Sequence, residues 1–141
     1  MALTECRDSF YIHYCINNYC TEIDIHLRIH KSELFYRNKE SQNNYKFLLK
    51  TIRKIKDIDS HIYHDIIMKS NIENKDEKIE NCKEKIIDLL FDFRALIPDD
   101  DYNYSKLRLK FVSLESMILK QYEHFYLKDQ KAVLYYESKK K

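Results

Sequence analysis

The chain contains no glycine in its 141 residues, and this absence limits its fold more than any other feature. Glycine is the residue that reaches positive φ without strain, so tight turns of that kind must use asparagine or aspartate or be avoided. Parallel α/β folds, phosphate-binding loops and dinucleotide sites depend on glycine and are therefore excluded. A helical protein with polar loops tolerates the restriction best.

Two amphipathic stretches meet at Pro98, the only proline. Apolar residues at steps of three and four form one stripe before it: Ile79, Cys82, Ile86, Leu89, Leu90, Phe93 and Ile97. A second stripe follows it: Tyr104, Leu107, Phe111, Leu114, Ile118, Tyr122 and Phe125. Such spacing is typical of a helix with one buried face, and proline ends a helix because it lacks a backbone donor. The pattern predicts antiparallel helices joined by a turn at residues 98–102, with the helix over 79–97 as the buried centre.

The remaining segments predict an all-α single domain spanning residues 1–141, a bundle of six or seven helices. Residues 71–78 are polar throughout and predict a loop, and residues 137–141 form a basic tail. Between residues 45 and 67 the apolar stripe changes phase near Asp57, so Asp59 or Ser60 is predicted to cap a new helix.

Residues 10–30 fit two structures. The apolar side chains at 12, 16, 19, 23 and 27 have helical spacing, whereas those at 23, 25, 27 and 29 alternate with polar ones as in a strand. Asn17-Asn18 would suit the turn of a β-hairpin. We favour helix, with a break between Asn17 and Cys20, and keep the hairpin as the alternative.

Charge and cysteine content indicate where the protein acts. The net charge is only +2, with nine basic against four acidic residues from Ser105 to Lys141 and five against ten from Ser70 to Tyr104. The four cysteines could form two disulfides in an oxidising compartment. However, no leader sequence and no long apolar run is present, so we expect a cytoplasmic protein with reduced thiols and no membrane span.

A metal site is the first chemistry to test. Cys15, Cys20, His26 and His30 have the order of zinc ligands, but only five residues separate the cysteine and histidine pairs. A zinc finger needs about twelve residues there. We therefore predict no metal and no cofactor.

Nucleic-acid binding is an alternative function, in which the chain is a helical nucleic-acid-binding subunit. Basic and aromatic residues alternate late in the chain, as backbone neutralisation and base stacking would require: Tyr102, Tyr104, Lys106, Arg108, Lys110, Lys120 and Tyr122. The tyrosines at 104 and 122 also lie on the apolar stripe, where a core position is the simpler interpretation.

The stretch Arg7-Asp8 to His13 resembles the R-x4-6-H motif of the HEPN ribonucleases. These are helical proteins in which arginine and histidine act on a scissile RNA phosphate. The motif usually lies late in that domain, whereas here it lies at the N-terminus. Ribonuclease activity is therefore a third, outlying hypothesis, and we predict no catalytic residues.

The layout as a whole resembles the poxviral Bcl-like proteins. FYIHYC, at residues 10–15, is similar to the aromatic first-helix pattern of that family, with Tyr14 where tryptophan is usual. Residues 36–63 resemble its helix with an acidic hinge, and residues 79–126 resemble its central helix and antiparallel partner. The family's Gly-Leu-Cys-Ala and Asn-Trp-Gly-Arg runs are absent.

The resemblance implies a non-enzymatic protein that binds host signalling proteins and inhibits innate immune (NF-κB or interferon) or apoptotic signalling. The missing runs favour the signalling-inhibitor branch over binding of pro-death helices. Exposed aromatic residues supply anchors at such interfaces. We predict Tyr11, Tyr14, Tyr122 and Tyr126 as interface residues, and leave open whether the protein is a homodimer.

Overall fold

The structure is a computed structural model that describes the backbone of residues 2–69, 71–99 and 101–121, and side chains from residue 9 to residue 120 within those ranges. Every element in these ranges is helical, which confirms the all-α prediction. The elements are α1 (Ala2–Ile29), α2 (Lys31–Phe35), α3 (Lys39–His61), a π-helical segment (Ile62–Ile67), α4 (Lys75–Ala95), a 3₁₀ turn (Tyr102–Tyr104), α5 (Ser105–Ser116) and a second π-helical segment (Met117–Gln121).

The first helix, α1, is a single unbroken helix, so the hairpin alternative and the break between Asn17 and Cys20 are both wrong. Its buried side chains keep the three-and-four spacing and lie against α3 and α5: Ile12, Ile16, Cys20, Ile23 and Leu27. Ile25 and Ile29, which suggested a strand, point to solvent. Burial of this apolar face against two neighbouring helices therefore outweighs the local turn preference of Asn17-Asn18.

The third helix, α3, begins at a capped residue and continues past the predicted break. The Asn38 side chain accepts a hydrogen bond from the Ser41 backbone N–H at 2.8 Å. Asp59 caps no new helix, since it is buried within α3. The π-helical segment follows directly, and its buried Ile62 and Ile66 continue the three-and-four spacing of Ile52, Ile55 and Asp59.

The fourth helix, α4, buries one stripe, made of Ile79, Ile86, Leu90 and Phe93. It starts directly after Asn74, which has a φ of 57° and is the only positive-φ residue in the part of the chain described here. The polar loop is thus shorter than the predicted 71–78.

The turn at Pro98 brings α5 back antiparallel to α4, as predicted. The Phe93 and Phe111 rings stack with their centroids 4.7 Å apart, and Arg94 pairs with Glu115 at 3.3 Å. The buried Tyr104 hydroxyl donates a hydrogen bond to the Leu34 carbonyl at 2.5 Å, which fixes the turn against α2.

Four long helices, α1, α3, α4 and α5, run alternately up and down and share one core. Helix α1 packs against both α3 and α5, while α4 packs against α3 and meets α5 through Phe93 and Arg94. The described residues contain five α-helices, so six or seven helices around a central 79–97 helix are not confirmed. No helix within the described ranges has the length and apolar character that crossing a membrane requires. The predicted basic tail at 137–141 lies outside the described residues.

Candidate functional site

An aromatic surface lies near the N-terminal end of α1, where the described side chains begin. It consists of Phe10, Tyr11 and Tyr14, each more than half exposed. The Phe10 and Tyr14 rings stack with centroids 6.3 Å apart, because residues four apart lie on one helix face. Core packing does not account for three large aromatic side chains at such exposure, and exposed apolar patches often mark interaction sites.

Beneath this surface lies a buried polar pair. His13 Nδ1 is 2.8 Å from Asp59 Oδ2, and the two residues are 8% and 1% exposed. A buried carboxylate requires a partner of this kind, since an isolated buried charge is costly. The pair therefore ties α1 to α3 at one defined register.

The π-helical segment after α3 completes the cluster. Tyr63 stacks on His13 with centroids 4.4 Å apart and an interplanar angle of 2°, and it lies 6.2 Å from Phe10. His64 meets the His13 ring edge-on at 5.3 Å. The wider π-helical turns place these consecutive residues on one side of the helix, where both contact α1.

Two of the four predicted interface residues lie within the described part of the chain. Tyr11 and Tyr14 lie together on the aromatic surface, while Tyr122 and Tyr126 lie outside the described residues. Arg7 and Asp8 lie in α1, but their side chains are likewise outside the description.

Sequence reasoning missed Asp59, the partner of His13. Asp59 occupies the apolar face of α3, four residues after the buried Ile55 and seven after the buried Ile52. An acidic residue on an apolar stripe is a signal of a buried pair, because lone buried carboxylates are rare. Its partner on α1 is 46 positions away and leaves no local signal.

The candidate zinc ligands do not converge. Cys20 lines a groove between α1 and α3, whereas His26 lies near Lys106 and Lys110 of α5. Burial raises the pKa of the Cys20 thiol. Across the described residues, no three His, Cys, Asp or Glu side chains are grouped to hold a metal ion.

The predicted nucleic-acid residues differ in their surroundings. Arg108 donates hydrogen bonds to the backbone carbonyls of Pro98 and Asp101, and Lys110 lies 3.9 Å from Glu22. Tyr104 is buried, whereas three others are exposed: Tyr102, Lys106 and Lys120. Tyr122 lies outside the described residues.

No protein-family model matches this chain, and no curated protein or solved structure matches it either. The resemblance to the poxviral Bcl-like proteins accordingly rests on the sequence patterns alone.

Proposed function

We propose that the protein is a non-enzymatic interaction module that binds a partner protein through the aromatic surface. The observation that carries this proposal is the exposure of Phe10, Tyr11 and Tyr14 side by side on one helix. Aromatic residues are enriched at protein interfaces and include most residues that dominate binding energy.

Part of the aromatic surface is already packed against the fold before a partner arrives. Phe10 lies against both Tyr14 and Tyr63, and Tyr63 is itself stacked on the His13 ring that Asp59 holds. Ordering side chains on binding costs about 0.5–1.5 kcal/mol for each flexible one, so a surface ordered in advance binds more tightly. The buried pair thus supports the interface without touching the partner.

The sequence resemblance suggests the kind of partner. A poxviral Bcl-like protein would bind a host signalling protein in the cytoplasm and inhibit innate immune or apoptotic signalling. Binding to a folded partner through a flat helical face requires no catalytic group, in keeping with the proposed role.

The test compares two double variants of the full chain in a host-cell reporter of NF-κB signalling and in affinity capture from the same cells. Tyr11→Ser/Tyr14→Ser removes two rings from the aromatic surface. The matched control, Tyr36→Ser/Tyr102→Ser, removes two exposed tyrosines elsewhere. We expect the first variant to lose at least tenfold in capture of the wild-type partner and in inhibition, and the control to behave as wild type.

Equal behaviour of the two variants would place the interface elsewhere. A wild-type protein that inhibits neither the NF-κB reporter nor an interferon or apoptosis reporter would overturn the signalling role itself.

Ribonuclease activity is a second candidate, which the His13–Asp59 pair favours. A carboxylate that holds Nδ1 of a histidine fixes its orientation, and an oriented imidazole is the usual general acid or base. His13 is also the histidine of the HEPN-like motif that begins at Arg7.

Incubating purified protein with an end-labelled RNA tests the ribonuclease hypothesis: Arg7→Ala and His13→Gln should abolish cleavage, and His64→Gln should not. Absence of cleavage by the wild type rejects this candidate and leaves the interaction module.

A further inference from the structure

A cationic groove runs between α1 and α3, on the turns that follow the His13–Asp59 pair along α1. Its centre is Asp24, which accepts hydrogen bonds from Arg28 Nε at 2.8 Å and from Arg53 Nε at 2.7 Å. Lys56 donates to the Thr21 hydroxyl at 3.1 Å. These residues line an open groove of about 400 Å³ with three positive charges and one negative charge.

The two arginines are oriented by the single carboxylate between them. Partial burial acts to raise the pKa of Asp24, but the hydrogen bonds from Arg53 and Arg28 outweigh it and hold the pKa below its ordinary value. Asp24 therefore stays ionised at neutral pH. Both arginine side chains are 54% exposed, and no described residue accepts a hydrogen bond from the terminal nitrogens of Arg28. A planar guanidinium held in this way is suited to phosphate oxygens.

A row of lysines continues the charge along α3. Lys46, Lys50 and Lys54 are exposed and lie one helical turn apart. A second open groove joins them to Arg53, with four positive charges and one negative charge, that of Asp57, along its lining. None of the three forms an ion pair with a residue of the described ranges. Like charges one turn apart destabilise a helix slightly, so a bound anion would relieve a repulsion present in the free protein.

We propose that this cationic face, formed by Arg28, Arg53, Lys46, Lys50 and Lys54, binds the phosphodiester backbone of a nucleic acid. The row from Lys46 to Lys54 extends for about 12 Å at 1.5 Å per residue, which suits a polymer of phosphates better than a single anion. An anionic lipid surface is the other polyanion that such a row could meet, and the experiment below includes it as an outcome. Contacts to phosphates alone carry no sequence preference.

The experiment measures binding of a fluorescent 20-nucleotide RNA and of its duplex to the purified full chain by anisotropy over a range of salt concentrations. The main variant is Lys46→Gln/Lys50→Gln/Lys54→Gln, which breaks no ion pair in the described residues. A second variant, Arg28→Gln/Arg53→Gln, removes the oriented guanidinium groups. The matched control, Lys78→Gln/Lys85→Gln, removes two exposed charges from α4.

We expect each groove variant to weaken binding at least tenfold and the control to weaken it less than threefold. The triple variant should also reduce the slope of log affinity against log salt by about 2 for single strands. Circular dichroism of each variant checks that it folds.

Three results would overturn the proposal: a wild type that binds neither RNA nor duplex at 50 mM salt, a control as weak as the groove variants, or binding to phosphatidylserine vesicles that exceeds binding to RNA and depends on the same lysines. Because the assay contains no partner protein, its failure leaves the proposed interaction module unaffected.

Discussion

His13 and Asp59 join the first and third helices through a hydrogen bond of 2.8 Å, although they are 46 positions apart in the chain. Both are buried, and Tyr63 covers the imidazole face. Tyr63 in turn contacts Phe10 of the aromatic surface. The packing of that surface therefore depends on the His13–Asp59 pair.

Breaking this pair should cost a large part of the stability of the fold. His13→Leu leaves a buried carboxylate without its imidazole, and we expect a loss of about 3 kcal/mol in the free energy of unfolding. Urea denaturation followed by circular dichroism measures it. The double variant His13→Leu/Asp59→Leu should lose less than the sum of the two single variants, because the imidazole and the carboxylate are partners in one hydrogen bond. Additive losses would mean that the pair contributes no coupling.

Two phenylalanines of α4 lie two residues apart, and truncating them should change the free energy of unfolding by very different amounts. Phe93 is fully buried against Phe111, whereas Phe91 is 75% exposed. Phe93→Ala should lower the free energy of unfolding by about 3–5 kcal/mol, since it leaves a cavity. Phe91→Ala should change it by less than about 0.5 kcal/mol. Comparable losses in urea denaturation would mean that α4 does not pack with this face inward.

Asn17 offers a stabilising substitution. Its Oδ1 is buried and finds no hydrogen-bond partner in the described part of the molecule. Asn17→Leu removes the unpaired oxygen and should raise the free energy of unfolding by about 1 kcal/mol. Asn18→Leu is the matched control, because the exposed neighbour gains only helix propensity. An equal gain in both variants would show that propensity alone is responsible.

Stability should fall as the pH is lowered below 6.5, in part through His26. Burial, followed by repulsion from His30 and the nearby lysines, holds the pKa of His26 below its ordinary value of 6.5. The unfolded chain then binds more protons than the folded one just below that pH, so acidification favours unfolding. Urea midpoints at pH 7.5 and pH 5.5 should differ less in His26→Gln than in the wild type. The same difference in both proteins would mean that His26 is not the group concerned.

The helical stripes were predictable because burial follows a period that the sequence displays. Ile12, Ile16 and Ile23 before the middle of the chain, and Phe93 and Phe111 around Pro98, lie on the buried faces that their spacing predicted. The lack of glycine also pointed correctly to asparagine in a tight turn, at Asn74.

The failures share a cause: they depend on contacts between distant segments. A stripe shows which face of a helix is buried but not how extensively its neighbours cover it. The sequence therefore predicts α4 as the centre, whereas α1 and α3 make the more extensive contacts. Asn17-Asn18 carries a turn signal that packing on α3 and α5 overrides. Asp59, an acidic residue on the buried face, interrupts the apolar stripe and suggests a helix cap, although α3 continues through it to His61.

For the candidate site, the sequence predicts Tyr11 and Tyr14 but not the buried His13–Asp59 pair beneath them. Nothing in the local sequence connects His13 to Asp59, or Arg53 to Asp24, 29 positions apart. Both pairs form because α1 and α3 lie antiparallel, and this relation exists only once the core has assembled.

The continuity of α1 sets a fixed distance between its two ends. Phe10 and Arg28 are separated by 18 residues of unbroken helix, which is about 27 Å at 1.5 Å per residue. A protein held at one end and a nucleic acid held at the other would be kept apart by a stiff spacer rather than a flexible tether. The length of α1 would then set the distance between the two ligands.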